Sequence, residues 1–181
     1  MNGRPTVAGG VVAEVDWSRF SVILLKPDCV RRGLVGRVLD AVTARTGVDI
    51  VHSMPVTVLP WQIHVHYWDM LVDADWWKPL DVAGCLERAY VGRAVQVALA
   101  RGPAGTPGLL RNALGHFDPQ QADPGTIRGD FGTDSLTAAR ADGRLVENLI
   151  HTSDAPVVVA RDFGTWFGAD RRDLLTTQAA A

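Results

Sequence analysis

A histidine and an arginine stand in two separate polar segments and together have the chemistry of phosphoryl transfer. Arg128 lies in the run Pro-Gly-Thr-Ile-Arg-Gly-Asp-Phe of residues 124–131, and His151 lies in the run Asn-Leu-Ile-His-Thr-Ser-Asp of residues 148–154. A guanidinium presents a planar set of donors that matches phosphate oxygens. A neutral imidazole has a lone pair near physiological pH and can attack phosphorus itself. The two segments predict a histidine nucleophile beside a phosphate-binding arginine.

Further polar motifs precede these two segments along the chain. They are Lys26-Pro-Asp28, Arg32-Gly-Leu-Val-Gly36, His66-Tyr67, and Arg111 followed by Leu114-Gly115. With these motifs in this order, the sequence resembles the nucleoside diphosphate kinase family from about Phe20 to Phe167. The resemblance implies an enzyme that moves the γ-phosphate of a nucleoside triphosphate to a nucleoside diphosphate, in a ping-pong cycle through a phosphohistidine.

The resemblance also implies roles for individual side chains. His151 is then the phosphorylated nucleophile, and Arg111 and Arg128 are the two phosphate-binding arginines. Spreading charge over such donors is the main catalytic device in phosphoryl transfer. Lys26 contacts the ribose hydroxyl and the terminal phosphate, and Asn148 is placed to bond the sugar hydroxyl.

Ser153 and Asp162, which follow the histidine, each have a possible functional role and a purely structural alternative. The Ser153 hydroxyl is within reach of a phosphate oxygen, but a serine here is equally typical of a turn or an N-cap before a helix that starts near Pro156. In the family a glutamate eleven residues after the histidine fixes its tautomer and orientation, and Asp162 stands at that position. Its side chain is one methylene shorter, and the alternative is an ordinary solvated helix residue.

The nucleotide entrance is predicted from aromatic residues. A base can stack on an aromatic face, and such faces are offered by Tyr67 and the pair Trp76-Trp77. Trp76 or Trp77 is the nearest counterpart of a phenylalanine that the family uses. Core packing explains these aromatic residues equally well. The implied cofactor is Mg²⁺, which arrives on the substrate phosphates. The carboxylates that could position its waters are Asp28, Asp69, Asp130 and Asp154, with Asp69 and Asp154 favoured, although caps and salt bridges are the commoner role. No direct metal ligands are expected, since His64 and His66 point to opposite sides of a predicted helix and His116 stands apart.

The sequence departs from the family pattern at several places. Phe117 stands where the family has a phosphate-binding threonine, and Cys29 replaces a glycine. The stretch 133–144 is longer than in short family members and is predicted to be a surface hairpin or flap, and Arg101–Leu110 also differs. These changes leave two alternatives open, a kinase specialised for an unusual nucleotide or biosynthetic intermediate and a non-catalytic nucleotide-binding module.

Hydrophobic periodicity predicts the elements that must position these residues. Strands are expected at Phe20–Leu25, Val48–Val58, Ala94–Ala100 and Leu145–His151, and helices from Leu34 to the glycine at 47 and at Trp61–Val72, Val82–Tyr90, Gly108–Leu114 and Pro156–Phe167. Gly115–Pro124 is predicted to be an ordered loop. The order indicates an α+β, ferredoxin-like βαββαβ fold, a single domain with an antiparallel sheet and helices on one face.

Composition limits the remaining possibilities. The chain has 181 residues, 47% of them hydrophobic, which predicts one domain at 17–175 with flexible tails at 1–16 and 176–181. A net charge of −2 and a pI near 6.2 argue against a general nucleic-acid binder. We found no signal peptide or membrane-spanning run, so a soluble cytoplasmic protein is expected. Cys29 and Cys85 are expected to be reduced and packed. The resemblance implies a homo-oligomer, a tetramer or hexamer.

Overall fold

Four β-strands form one antiparallel sheet. The computed structural model describes residues 15–72 and 80–176. Its strands are β1 (Phe20–Leu25), β2 (Asp49–Thr57), β3 (Ala94–Arg101) and β4 (Ile150–Thr152), which lie side by side in the order β2-β3-β1-β4. The predicted ferredoxin-like α+β fold is confirmed.

Helices connect the strands and surround the sheet. In chain order they are α1 (Pro27–Arg31), α2 (Val35–Thr46), α3 (Pro60–His66), α4 (Trp68–Val72), α5 (Val82–Tyr90), α6 (Thr106–Leu114), α7 (Ile127–Phe131), α8 (Leu136–Ala141) and α9 (Pro156–Trp166). Short 3-10 segments lie at Trp17–Arg19, Pro119–Gln121 and Ala169–Leu175. Within residues 15–72 and 80–176, no helix is long and apolar enough to cross a membrane.

The helices cover both faces of the sheet, so the expectation of a single covered face is wrong. Every residue of β1 is buried, and its side chains alternate between two cores. Val22 and Leu24 pack with α3, α5 and α9, whereas Ile23 and Leu25 pack with α2 and α6. Apart from Ser21, β1 is apolar along its length, which is typical of a strand in a sheet buried on both sides. Cys29 and Cys85 are both buried and free, as expected.

Two predicted elements differ in extent from those observed. The helix expected at Trp61–Val72 is divided into α3 and α4 at Tyr67, whose φ of −98° and ψ of 24° end the first helix. The strand expected at Leu145–His151 is shortened to Ile150–Thr152, because Leu149 has a positive φ and cannot continue a strand. Leu145 and Val146 then line a cleft instead of pairing in the sheet.

The stretch 133–144 contains a short helix rather than the predicted hairpin or flap. Ser135 caps α8 by accepting the N–H of Ala138. Arg144 donates two hydrogen bonds to the carboxylate of Asp134, at 2.5 and 3.0 Å, and that carboxylate also accepts the N–H of Glu147. The pKa of Asp134 is lowered to about 2, chiefly by the hydrogen bonds from Arg144. The two ends of the stretch 133–144 are therefore joined to each other by hydrogen bonds.

The predicted boundaries of the N-terminal and C-terminal tails lie at the limits of the described residues, so both boundaries stay predictions.

Helix α7, which carries Arg128, is packed so closely that it requires a glycine. A Cβ at Gly129 would clash with the carbonyl oxygen of Asp123. We expect Gly129→Ala to lower the free energy of unfolding by about 1–3 kcal/mol, although alanine is the better helix former. Gly164→Ala in α9 is the matched control, since a Cβ there meets nothing within 4 Å, and it should raise stability by about 0.5–1 kcal/mol. Denaturant unfolding of both variants measures this difference, and equal effects would contradict the close packing of α7.

Candidate active site

His151 lies on the edge strand β4, opposite Leu24 of β1, with its ring in a cleft of about 430 Å³. The position agrees with the expectation that this side chain leaves the sheet at its edge. Most of the predicted site residues line the same cleft, namely Lys26, Tyr67, Asp69, Arg111, Phe117, Arg128, Asn148 and Asp154. The fold therefore brings together side chains that the sequence places far apart.

A tight bend before β4 aims these side chains. Leu149 has a φ of +71°, and it is the one non-glycine residue with a positive φ in the part of the chain that the structure describes. Its N–H donates to the Asp28 carboxylate at 3.0 Å, and its carbonyl accepts the N–H of Lys26 at 2.8 Å. The N–H of Ile150 donates to the carbonyl of Asn148 at 2.8 Å, which closes a three-residue turn. Asp28 is thus used to hold the backbone beside the nucleophile.

Lys26, Asn148 and Phe117 form a chain of hydrogen bonds along the cleft. The Nζ of Lys26 donates to Oδ1 of Asn148 at 2.7 Å, and Nδ2 of Asn148 donates to the carbonyl of Phe117 at 2.6 Å. The same Nζ lies 5.9 Å from the centre of the Tyr67 ring. Burial, with a further contribution from the charge of Arg128, lowers the pKa of Lys26 to about 8. Its proton is therefore unusually easy to remove.

The two predicted phosphate-binding arginines differ in their surroundings. Arg128 is buried, and its guanidinium donates to the carbonyls of Gly115 at 3.0 Å and Ile150 at 2.8 Å. Its Nε has no partner among the described residues, and burial lowers its pKa to about 10. Arg111 is largely exposed and pairs with Asp154 at 2.7 Å. One arginine is fixed, and the other is held only by a surface ion pair that a stronger anion can replace.

His151 is held in its neutral form. Its burial lowers its pKa well below the usual value, and the nearby charges of His66, Lys26, Arg128 and Arg111 lower it further. The sign means that the ring loses its proton well below neutral pH and keeps a lone pair above that point. The rings of Tyr67 and His66 flank it, with centroid distances of 5.1 and 4.9 Å.

His66 is the buried residue whose role sequence reasoning missed. The sequence indicates only a motif member and an improbable metal ligand at this position, whereas the side chain is fully enclosed beside His151. The Nε1–H of Trp166 donates to Nδ1 of His66 at 3.2 Å, and Oδ2 of Asp162 lies 3.2 Å from the same nitrogen. Its Nε2 has no partner among the described residues. A signal existed in the spacing of Asp162 and Trp166, which share one face of α9.

Asp162 and Ser153 form a buried network behind His66. The Ser153 hydroxyl donates to Asp162 at 2.8 Å, and Arg161 approaches the other carboxylate oxygen at 3.2 Å. Burial alone would raise the pKa of Asp162, but His66, Ser153 and Arg161 hold it below its usual value. The N-cap of α9 is Ala155, so Ser153 bonds to Asp162 rather than capping the helix.

The carboxylates favoured for Mg²⁺ line the cleft in ion pairs. Asp69 accepts a hydrogen bond from Arg161 at 2.9 Å, and Asp154 is the partner of Arg111. Asp130 lies elsewhere, bonded to Arg45 and to the N–H of Gly125. No group of three or more His, Cys, Asp or Glu side chains that could hold a metal occurs within residues 15–72 and 80–176. Trp76 and Trp77 lie outside the described residues.

Comparisons with known proteins agree with this geometry. A family model described as nucleoside diphosphate kinase matches residues 20–171. A nucleoside diphosphate kinase from Nocardioides sp. is 35% identical over 147 residues, which cover 81% of this chain and 95% of that protein. One from Pyrobaculum aerophilum is 31% identical over 172 residues, with 81% and 93% covered. Among solved structures, one similar to this chain is a transition-state mimic of a nucleoside-diphosphate kinase from Borrelia burgdorferi with bound vanadate and ADP. The two chains are 28% identical in sequence and superpose with a TM-score of 0.75, and the match covers 84% of this chain and 88% of the Borrelia chain.

The lowered pKa of Lys26 is directly measurable, because Lys26 and Lys78 are the only lysines in the sequence. We expect the Lys26 ε-amine to lose its proton near pH 8, well below the ordinary value of about 10.4. Reductive methylation with ¹³C followed by NMR titration reports both lysines and the N-terminal amine, which ordinarily titrates at about pH 8 as well. The signal that is lost in Lys26→Arg is that of Lys26, and the signal that is lost in Lys78→Arg is that of Lys78. A Lys26 midpoint at the ordinary value would mean that its ammonium reaches bulk water.

Proposed function

Because the chain belongs to the nucleoside diphosphate kinase family, we propose that it moves the γ-phosphate of a nucleoside triphosphate to a nucleoside diphosphate through His151. The observation that carries this assignment is a neutral imidazole at the edge of a cleft that also contains two arginines. An imidazole with a free lone pair is a nucleophile, and guanidinium groups beside it neutralise a transferring phosphoryl group.

The reaction has two half-reactions. The phosphorus–nitrogen bond that forms in the first is broken in the second. A ring nitrogen of His151 attacks the γ-phosphorus, the bond to the bridging oxygen breaks, and the diphosphate leaves with that electron pair. After exchange of nucleotides, a terminal oxygen of the acceptor attacks the phosphorus and the phosphorus–nitrogen bond breaks. The lone pair returns to His151, so the protein ends as it began.

The remaining cleft residues bind and orient the nucleotide in this proposal. Arg128 has a position fixed by two carbonyls, so it presents its donors without reorganisation. Arg111 exchanges Asp154 for the phosphate oxygens. Lys26 and Asn148 already bond each other and offer their remaining donors to the sugar hydroxyl and the phosphates. Tyr67 supports the ring of His151 from one side.

Asp162 orients the nucleophile through His66 in this proposal. Its carboxylate lies against His66 Nδ1, and the His66 ring packs at 81° to that of His151. The shorter aspartate therefore acts one ring further from the reacting nitrogen than the resemblance implies. Ser153 and Arg161 keep this carboxylate charged and fixed.

Mg²⁺ fits the cleft as part of the substrate. Asp69 and Asp154 line it and are partly exposed, so their free oxygens suit water molecules of a phosphate-bound ion. When bound, the ion would neutralise charge on the phosphates. A homo-oligomer and a cytoplasmic location stay predictions from the family resemblance and the composition.

A second candidate is a kinase of the same chemistry with an unusual acceptor, and Phe117 favours it. Its side chain is 38% exposed beside the arginines, and its ring packs on His116 at a centroid distance of 4.6 Å. An apolar ring at this point removes a hydroxyl from the phosphate site and changes its shape. A purely nucleotide-binding module is disfavoured by the intact set of His151, Arg111 and Arg128.

The first test replaces the nucleophile. His151→Asn has no imidazole, so we expect it to lose acid-labile, base-stable phosphate incorporation from labelled ATP and Mg²⁺, and to lower kcat by at least about a thousandfold. ADP binding, measured by calorimetry, should change little. His64→Asn is the matched control, because His64 lies on α3 near Glu87, and it should keep full incorporation. Undiminished labelling of His151→Asn would disprove the assignment.

The second test separates an ordinary acceptor from an unusual one. Phe117→Thr returns a hydroxyl to the phosphate site, so in an ordinary kinase kcat/KM for ADP or GDP should rise about tenfold, equivalent to ~1.4 kcal/mol for one charge-assisted hydrogen bond. In a specialised kinase, activity on common nucleotides should stay flat while activity on the true acceptor falls. Steady-state rates on a panel of diphosphates decide between them.

A further inference from the structure

A second, smaller cavity lies against the wall of the nucleotide cleft. It has a volume of about 200 Å³ and is enclosed by the start of α1, the end of α5 and the segment 144–147. Lys26, Tyr90, Leu145 and Val146 line both cavities. The proposed function uses Lys26 on the cleft side and assigns nothing to the cavity itself.

The charge of this cavity is strongly positive. Its lining contains five cationic side chains and two carboxylates: Lys26, Arg31, Arg88, Arg93 and Arg144 against Asp28 and Glu147. Glu147 is already paired with Arg31 at 2.7 Å. Asp28 is already bonded to the N–H of Leu149, and burial raises its pKa. Glu147 therefore offsets Arg31, and Asp134 offsets Arg144. The cations of the lining that remain are Lys26, Arg88 and Arg93.

Two of the arginines bond only to neutral acceptors among the described residues. Arg88 donates to the sulfur of Cys85 at 3.1 Å, and Nε of Arg93 donates to the carbonyl of Arg88 at 3.2 Å. Asp81 caps α5 through the N–H of Gly84, and neither Asp81 nor Glu87 forms an ion pair with Arg88 or Arg93. Within residues 15–72 and 80–176, both guanidinium groups therefore keep unused donors at the cavity.

The walls of the cavity are joined to each other. The thiol of Cys85 donates to the carbonyl of Gly143 at 3.4 Å, which links α5 to the segment that carries Arg144. Arg144 is itself fixed by its paired bonds to Asp134. An anion entering between these walls finds Arg144 fixed in place, whereas Arg88 and Arg93 are exposed, are each held by one hydrogen bond and are free to turn toward it.

We propose that this cavity binds a small phosphate-class anion, held by Arg88 and Arg93 with Lys26 at its inner end. Planar guanidinium forks match phosphate oxygens. The volume is below the roughly 300–1,000 Å³ of pockets that enclose drug-sized ligands, so a whole nucleotide is excluded. Orthophosphate and pyrophosphate are the free anions of this class, and a phosphomonoester is its organic form.

The site shares Lys26 with the nucleotide cleft, so occupation of one cavity must be felt in the other. A bound anion favours the charged form of Lys26, so the pKa of Lys26 should rise above about 8. Any effect of the anion on nucleotide affinity is matched by an equal effect of the nucleotide on anion affinity.

The test is an NMR titration of the ¹⁵N-labelled full chain with orthophosphate at constant ionic strength. We expect saturable shifts of the amides of Arg88, Arg93 and Glu147, separate from those of Gly115 and His151 that report phosphate in the cleft. Arg88→Gln/Arg93→Gln should weaken the first set at least about tenfold and change the second by much less, only through the coupling at Lys26. Arg19→Gln/Arg37→Gln removes the same charge from exposed positions elsewhere and should change neither.

Two further measurements make the result decisive. Arg93→Gln alone guards against a folding defect, because it leaves the bond between Arg88 and Cys85 intact, and it should still weaken the anion. Methyl phosphate identifies the source, since binding tighter than orthophosphate indicates a phosphorylated molecule and weaker binding indicates the free anion. Shifts confined to Gly115 and His151, or equal affinity in both double variants, would overturn the proposal whether or not the protein transfers phosphate.

Discussion

The site depends on one hydrogen bond, from the backbone N–H of Leu149 to the buried carboxylate of Asp28. A leucine at φ +71° is strained, and such a conformation persists only where neighbouring groups determine it. Asp28 supplies that determination from the start of α1, while Lys26 bonds the Leu149 carbonyl from the end of β1. The bend places Asn148 before it and His151 after it in the same cleft. The first and last parts of the domain thus assemble the site together.

Burial lowers the pKa of three basic groups in the cleft, His151, Lys26 and Arg128, with different consequences. It removes the proton from His151, which leaves the ring nucleophilic, and it weakens the hold of Lys26 on its proton. Arg128 tolerates the same burial because a guanidinium stays charged even with its pKa lowered. The cleft therefore keeps positive charge for phosphate at Arg128 and Arg111 while the reacting group between them stays neutral.

Sequence patterns predicted the sheet well and its last strand poorly. β1 is apolar except for Ser21, and α5 has both an N-cap at Asp81 and a clear apolar face. The predicted ends of both elements match the observed ends. The predicted β4 is too long because Leu145 and Val146, which line the cleft, are apolar and look like part of a strand in the sequence. No local sequence signal indicates the turn at Leu149. The role of His66 depends on contacts with α9, far along the chain, which periodicity does not report.

Because lysine is scarce in this sequence, Lys26 is suited to selective chemical labelling. Lysine amines react with acylating reagents and aldehydes, and this sequence has two lysines, Lys26 and Lys78. Lys26 loses its proton close to neutral pH and lies in a cleft that a small molecule can enter. An amine without its proton is the nucleophilic form. A ligand that carries an aldehyde or activated ester would therefore become attached beside the reacting histidine, which makes the cleft accessible to selective covalent labelling.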